Sequence, residues 1–382
     1  MARRRRSILA PFGSISRNFR ALITSFLGLG ILGSVGYFTF LGGPVVGNIN
    51  DALDIIAYGE PQVVSDIQVV NDDLNPTDND SSATLRKPVI QSKSPTEITI
   101  GTFNIQRFGD SQLGKPSVMK TLVAIVKQFD VIAIQEVTDV DGEVIPRFLQ
   151  LVNKHAAGQY DYVLSPRLGR ETGSRNAYRE QFGFIFDTTR VKIKDGPLAG
   201  FVVSKRKFGT KYDRLPTVLQ FEVTAALSST PFTFSLVNVH LVPSGNPKLP
   251  LEVVTLKDVY ADVKRILPNE DDIIILGDFN SPSEGILLPM KTIAGRQIKT
   301  ALENEKTNLA QTKTYDNLMF DANDTIEFVG AKVIDFTAIS ESFGADPKDV
   351  SDHLPVMGSF KVHESANGSM GTVAARPMPA FR

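Results

Sequence analysis

The chain has 382 residues, 42% hydrophobic and 22% charged, with a formal net charge of −1. That is enough sequence for one large globular domain or two ordinary ones. Cysteine and tryptophan are both absent, which excludes a disulfide framework, a thiolate metal site and a cysteine nucleophile.

Residues 1–20 hold six arginines and no acid, and residues 21–43, ALITSFLGLGILGSVGYFTFLGG, run without a charge. A helix of about 20 apolar residues spans a bilayer, and arginines favour the cytoplasmic side. The segment therefore reads as a membrane anchor, with the rest of the chain outside the cytoplasm. A cleaved secretory signal, leaving a secreted protein, is the alternative. Residues 44–95, rich in Asp, Asn, Ser and Pro, read as a flexible tether, and residues 363–382 as a disordered tail.

Between them, residues 96–362 read as one domain. Strand-like runs are EITIGTFN, DVIAIQEV, FGFIF, TVLQFEV, TFSLVNVHL, DDIIILGDFN and KVIDFTAI. Helical spacing begins at Pro116 with Met119, Leu122, Val123, Val126 and Phe129, and recurs over about Val144 to His155 and Leu251 to Leu267. Continuous apolar strands imply sheets covered on both faces. The expected fold is α/β, two packed sheets with helices outside.

Polar residues interrupt those strands where they end: Asn104, Glu136, Glu180, Asn238, His240, Asp278, Asn280, Asp316, Asp352 and His353. Any one of them has an ordinary explanation as a turn former. Strand ends in a layered α/β domain nevertheless converge on one crevice, and this set holds two of only four histidines, the others being His155 and His363. Hard divalent cations take oxygen ligands, and magnesium binds one or two carboxylates plus phosphate oxygens. Histidine serves as general acid or base near neutral pH, and a carboxylate partner sets its tautomer. Carboxylates, amides and two histidines without cysteine suit phosphodiester cleavage.

TFNIQRFG, IAIQEV, YREQFGFIF, VNVHLVP, LGDFNSP, YDNLMF and SDHLPV, in that order, resemble the endonuclease/exonuclease/phosphatase superfamily, deoxyribonuclease I above all. The resemblance implies a four-layered α-β-β-α sandwich, and the charge-free run over residues 21–43 puts a hydrophobic N-terminal helix before it. It implies Glu136 as principal metal ligand beside Asn104 and Asp352, with Mg2+ as the cation and Mn2+ or Ca2+ as alternatives. It makes His240 the residue that protonates the leaving 3′-oxygen, oriented by Glu180, and His353 the base or stabiliser on the water side, paired with Asp316. Asp278 and Asn280 would position water and phosphate, and Asp278 would help hold a second cation. Tyr178 and Arg214 are the implied substrate contacts, and Arg179, in a basic stretch approaching Tyr178, and Arg107, next to Gln106, are expected beside them. The implied substrate is DNA, with RNA as an alternative, and the products carry 5′-phosphate and 3′-hydroxyl ends; no obligate protein partner is implied. The sequence departs from the resemblance at Gln106 and Thr138, where the family places arginines.

Residues 1–20 carry +6, residues 44–95 −5 and the tail +1, which leaves −3 on residues 96–362. That is not the basic face of a tight DNA binder. Local basic stretches, Arg167 to Arg179 and Lys205 to Arg214, suit weak, salt-sensitive, sequence-independent binding. Two rival readings remain open: a phospholipid phosphodiesterase or phosphatase of the same superfamily, and a catalytically inactive binding module.

Overall fold

A computed structural model describes residues 93–154, 160–169, 178–194, 201–203 and 205–365. The chain lays down β1 (Glu97–Phe108), β2 (Val131–Val137), β3 (Tyr160–Leu164), β4 (Leu168–Gly169) and β5 (Arg179–Asp187) in a first sheet. It then builds a second sheet from β6 (Val191–Ile193), β7 (Phe201–Val202), β8 (Thr217–Val223), β9 (Thr233–His240), β10 (Ile273–Asp278), β11 (Ile298–Thr300) and β12 (Asp316–Asp321). β13 (Phe328–Val333) and β14 (Val356–Lys361) return to the first, whose order is β13-β14-β1-β2-β5-β3. The second runs β11-β12-β10-β9-β8-β6. Both sheets are mixed: β1–β2 and β9–β10 are parallel pairs at the centre, flanked by antiparallel ones.

The described helices are α1 (Asp110–Leu113), α2 (Pro116–Val126), α3 (Val144–Lys154), α4 (Lys205–Phe208), α5 (Leu249–Ile266), α6 (Ser283–Met290), α7 (Thr337–Ser342) and α8 (Pro347–Val350). Three apolar cores separate the layers. Ile98, Ile100, Phe184, Phe221, Leu236 and Leu276 fill the space between the sheets. Helices α2 and α3 cover Phe103, Ile132 and Ile134 on the outer face of the first sheet, and α5 and α6 cover Val237, Ile273 and Ile275 on that of the second.

Side-chain alternation then decides which polar groups face the gap between the sheets. In β1, Asn104 follows Ile98 and Ile100 on the inner face. In β5, Glu180 precedes Phe184 and Phe186. His240 follows Phe234 and Leu236 in β9, Asp278 follows Ile274 and Leu276 in β10, and Asp316 precedes Leu318 and Phe320 in β12. Because β5 and β12 run antiparallel to their neighbours β2 and β10, their first residues and the last residues of the others meet at one end of the sandwich.

One expected strand differs. KVIDFTAI is strand only to Val333; Thr337 then opens α7, its amide and hydroxyl both donating to Asp335 Oδ1 at 2.9 and 2.7 Å. That local turn outcompetes strand continuation, while Ile334 and Phe336 stay buried under the sheet. At the C-terminal end, the described chain goes beyond residue 362: His363 bridges to Pro231, and its Nδ1 lies 2.7 Å from Ser228 Oγ. The expected hydrophobic helix over residues 21–43, the segment 1–20, nearly all of the 44–95 tether and the tail beyond residue 365 lie outside the described residues. Among the described residues no helix is long and apolar enough to cross a membrane. The expectation of a membrane-anchored chain, with the membrane as a partner, is corrected on that finding.

Candidate active site

Two histidine–carboxylate pairs face each other across the inner ends of the strands. His240 Nδ1 lies 2.8 Å from Glu180 Oε1, so one sheet supplies the imidazole and the other its acid. His353, in the loop before β14, sets its Nδ1 2.8 Å from Asp316 Oδ2. In both, the free Nε2 points at Asp278 Oδ2, at 3.5 Å from His240 and 3.7 Å from His353. Asp278 is 1% exposed and is held from below: the Asn280 amide donates to its Oδ1 at 2.8 Å, and Asn280 Nδ2 and Asn104 Nδ2 donate to Oδ2 at 3.2 Å each.

Glu136 reaches this group against strand alternation. Its position in β2 shares a face with Ile132 and Ile134, which pack under the helices. A left-handed backbone (φ 63°), with register shifts on both sides of β2, turns the side chain back to the crevice. There it accepts hydrogen bonds from Asn104 Nδ2 (3.1 Å), the Arg107 amide (3.0 Å) and Tyr178 Oη (3.0 Å). Among the described residues four without a glycine's freedom have positive φ, and three of them, Arg107, Glu136 and Asn280, are at this site. Such strain costs about 1–3 kcal/mol each and persists where the surroundings over-determine it. Gly277 is required for a related reason: with φ 142°, a Cβ there would lie 1.9 Å from the Val239 carbonyl oxygen.

The crevice is a cleft of about 370 Å³ lined by Arg107, Glu136, Tyr178, Arg214, His240 and His353 among others. Two groups, each with at least one member lining the cleft, have ligand atoms within 4.8 Å of one another, Glu136–Glu180–His240 and Asp278–Asp316–His353, and could hold a metal ion. Asn104 Oδ1 is buried without a hydrogen-bond partner among the described residues, beside Glu136. An orphaned amide oxygen next to a carboxylate is the donor set a hard cation takes, so these residues fit one.

The profile of the Endonuclease/Exonuclease/phosphatase family matches residues 101–353. The chain belongs to this family. It is a hydrolase acting on phosphoric ester bonds. Deoxyribonuclease gamma of Rattus norvegicus is 28% identical over 284 residues, covering 69% of this chain and 84% of the relative. Deoxyribonuclease-1 of Gallus gallus is 27% identical over 278 residues, covering 69% and 92%. A solved endonuclease/exonuclease/phosphatase from Bacteroides vulgatus is 13% identical with a TM-score of 0.47, covering 70% of this chain and all of that one.

Most of the residues expected from sequence come together in this family member's cleft, and four have more specific placements. Arg214 is 8% exposed and its Nε and Nη2 donate to the carbonyls of His240 (2.9 Å) and Leu241 (2.7 Å), with Glu180 3.6 Å away; it braces the His240 strand end as well as lining the cleft. Arg179 stands apart, on the face of β5 opposite Glu180, its Nη2 donating to the Arg167 carbonyl at 2.7 Å. Asp352 lines the cleft but is exposed and belongs to neither ligand group. Asn238 is a clamp between the sheets: Gln135 Nε2 donates to its Oδ1 at 2.7 Å, and its own Nδ2 donates to the carbonyls of Ile134 and Gly183.

Two contributors escaped sequence reasoning. Buried Thr307 donates to Asp316 Oδ2 at 2.9 Å, and nothing in the sequence marks it. Ser351 accepts from the His353 amide at 3.0 Å and donates to the Asn104 carbonyl at 2.7 Å. Its place two residues before a histidine is a recognisable Ser/Thr turn.

The electrostatics follow from these contacts. Burial opposes charge on Glu136, but His240 and the hydrogen bonds from Asn104, Arg107 and Tyr178 outweigh it and lower its pKa. Burial and Arg214 oppose protonation of His240; Glu180 and Asp278 prevail, and its pKa is raised. Burial likewise disfavours a charged His353, but Asp316, Asp278 and Asp352 hold it well above an ordinary histidine. Asp316 is pushed up to about 6 by its burial, against the pull of His353.

Proposed function

We propose that the chain is a magnesium-dependent endonuclease of deoxyribonuclease I type, with residues 96–362 as its catalytic domain and DNA as its substrate. The observation that carries this reading is Asp278 set between two imidazoles, each backed by a buried carboxylate. In-line hydrolysis of a phosphodiester needs an oriented water on one side of phosphorus and a proton donor on the other. His240, its Nδ1 fixed by Glu180, delivers a proton from Nε2 to the leaving 3′-oxygen. Asp278, buttressed by Asn280, orients the attacking water and accepts the proton it loses as the new P–O bond forms. His353, held by Asp316, supplies positive charge to the phosphate, and its opposition to His240 sets the in-line direction. Glu136 and Asn104 would hold the magnesium, with Asp352 at the rim and Asp278 near a second position. The cation supplies charge neutralisation at the phosphate when bound. Tyr178 is anchored on Glu136 and Arg107 is exposed on the cleft wall, and both support a role for an aromatic ring and a guanidinium in contacting the nucleic-acid backbone. Relatives named deoxyribonucleases, matched over most of their own lengths, support DNA over other phosphodiesters.

The test is full-length protein incubated with magnesium, and then with chelator, against plasmid DNA, RNA and sphingomyelin vesicles. Nicking of plasmid with 5′-phosphate ends, abolished by chelator, is the expected result. Release of phosphocholine with intact plasmid would overturn the assignment.

A further inference from the structure

A second group of acids lies at the other end of β10. Asp272, the residue before that strand, is wholly buried, and neither carboxylate oxygen has a hydrogen-bond partner among the described residues. Around it, Glu327 and Glu364 place carboxylate oxygens within 4.8 Å of its own and of each other, and Glu270 and Asp271 form a second such group with it. Glu327 is 1% exposed, and its Oε2 is also buried and unpartnered. Four of the other oxygens are fixed by backbone and amide donors. Glu327 Oε1 accepts from the Ser365 amide at 2.6 Å and Glu364 Oε2 from the Thr233 amide at 3.1 Å. Glu270 Oε1 accepts from the Asp272 amide at 3.0 Å, and its Oε2 from Gln220 at 2.6 Å.

Some buried acids elsewhere in this protein are matched by bases. Asp130 and Asp187, also at that end of the first sheet, are met by Lys93 at 2.9 Å each, and Asp130 by Arg190 at 2.6 Å. Near Asp272, Lys264 goes to the Glu270 carbonyl at 2.7 Å and to Asp324 at 3.5 Å rather than to the cluster's carboxylates. Burial, and then Glu327, Glu364, Asp271 and Glu270, push the Asp272 carboxyl up to about 10. All four of those neighbours are acids. An isolated buried carboxylate costs several kcal/mol unless paired or bound to a metal.

We propose that Asp272, Glu327 and Glu364, backed by Glu270 and Asp271, form a structural site for a hard divalent cation of the calcium class. The site is separate from the catalytic cleft and does not depend on the function assigned to it. Calcium accepts six to eight oxygens and takes carboxylates in bidentate fashion, whereas magnesium keeps several waters and an octahedral shell. A fully buried aspartate with both oxygens unused, set among other carboxylates, matches the former. The ligands come from the start of β10 in one sheet and from the segments flanking β13 and β14 in the other. A cation there would staple the two sheets and hold the C-terminal segment, where the Glu364 amide donates to the Thr230 carbonyl at 2.9 Å.

The test uses full-length protein stripped with chelator and titrated with calcium chloride or magnesium chloride, following bound metal by equilibrium dialysis and thermal unfolding. At calcium about 100-fold above its Kd, the wild type gains roughly 5 °C, with a smaller gain from magnesium. Asp272→Asn binds one calcium fewer and loses the gain, while Asp278→Asn, at the catalytic end, keeps it. In chelator the order reverses, because Asp272→Asn removes an uncompensated acid and unfolds at higher temperature than wild type. Glu327→Gln reads the same loss if Asp272→Asn fails to fold. Unchanged calcium stoichiometry and gain in a folded Asp272→Asn, no gain in the wild type, or an equal gain from magnesium would each overturn the proposal.

Discussion

Strand β10 has a buried acid at each end, and the two live in opposite surroundings. Asp278 is 1% exposed and Asp272 wholly buried, separated by about 20 Å at the usual ~3.3 Å rise per residue. Asp278 receives amide donors from Asn104 and Asn280 and faces two imidazoles. Asp272 faces other acids. At the first end the protein itself replaces water around the charge, so the carboxylate is fixed and aimed before any substrate arrives. At the other end nothing in the described chain does so. Burial alone therefore does not mark a catalytic acid; the donors around it do.

The largest expected effect comes from breaking the donor-rich end. His240→Ala removes the proposed proton donor, and kcat should fall by about 10³-fold or more, at the upper part of the range for general acid catalysis. His353→Ala should fall comparably, since it faces the same Asp278 oxygen. Both are read by plasmid nicking alongside an unfolding curve, and near-normal turnover in either would remove the two-imidazole reading. Next is Gly277→Ala, in the strand that joins the two ends. Its Cβ would collide with the Val239 carbonyl oxygen, so β10 must part from β9. A loss of about 3 kcal/mol or more in denaturant unfolding is expected. A loss below 1 kcal/mol would show that the strand yields easily and that Asp278 is not rigidly aimed.

Much of this contrast was legible in the sequence at one end only. Asn104, Glu180, His240, Asp278 and Asp316 each continue an alternating apolar strand, so period-two reasoning puts them on the buried face. Glu136 is different: alternation assigns it to the helix-covered face beside Ile134, and only its left-handed backbone returns it to the cleft. Its place at a strand end and the motif resemblance singled it out; periodicity did not. Asn280 meets Asp278 through a similar left-handed turn rather than along a continued strand. Thr307 was invisible because its role depends on a loop folding back onto Asp316. Asp272 reads in sequence as an acid opening a strand, since Glu327 and Glu364 reach it only after the two sheets pack.

A subtler change tests whether the first end works by charge as well as by position. Glu180→Gln keeps a hydrogen-bonding oxygen near His240 Nδ1 but removes the negative charge. The wild-type His240 pKa is raised, with Glu180 the strongest group acting in that direction. Without it the imidazole gives up its proton at lower pH. A reaction that needs this proton then loses activity earlier as pH rises, so the basic limb of the kcat/KM profile moves toward acid, with about a tenfold loss at neutral pH. A tenfold loss with the limb unmoved would make Glu180 a positioning group only.

The smallest effect is expected at Asp352, where the donor-rich end meets solvent. Glu136 receives three hydrogen bonds that orient its carboxylate beside the orphaned Asn104 oxygen; Asp352 is exposed and stands outside both ligand groups. Exposed charges interact weakly through water and salt. Glu136→Gln should therefore raise the magnesium needed for half-maximal activity by about tenfold or more, and Asp352→Asn by only about two- to threefold, in keeping with the weak coupling of an exposed acid. Both follow from one magnesium titration of initial nicking rate at fixed ionic strength. Equal shifts in the two variants would mean that the cation sits at the rim of the cleft, and that the inward turn of Glu136 serves the fold and not the metal.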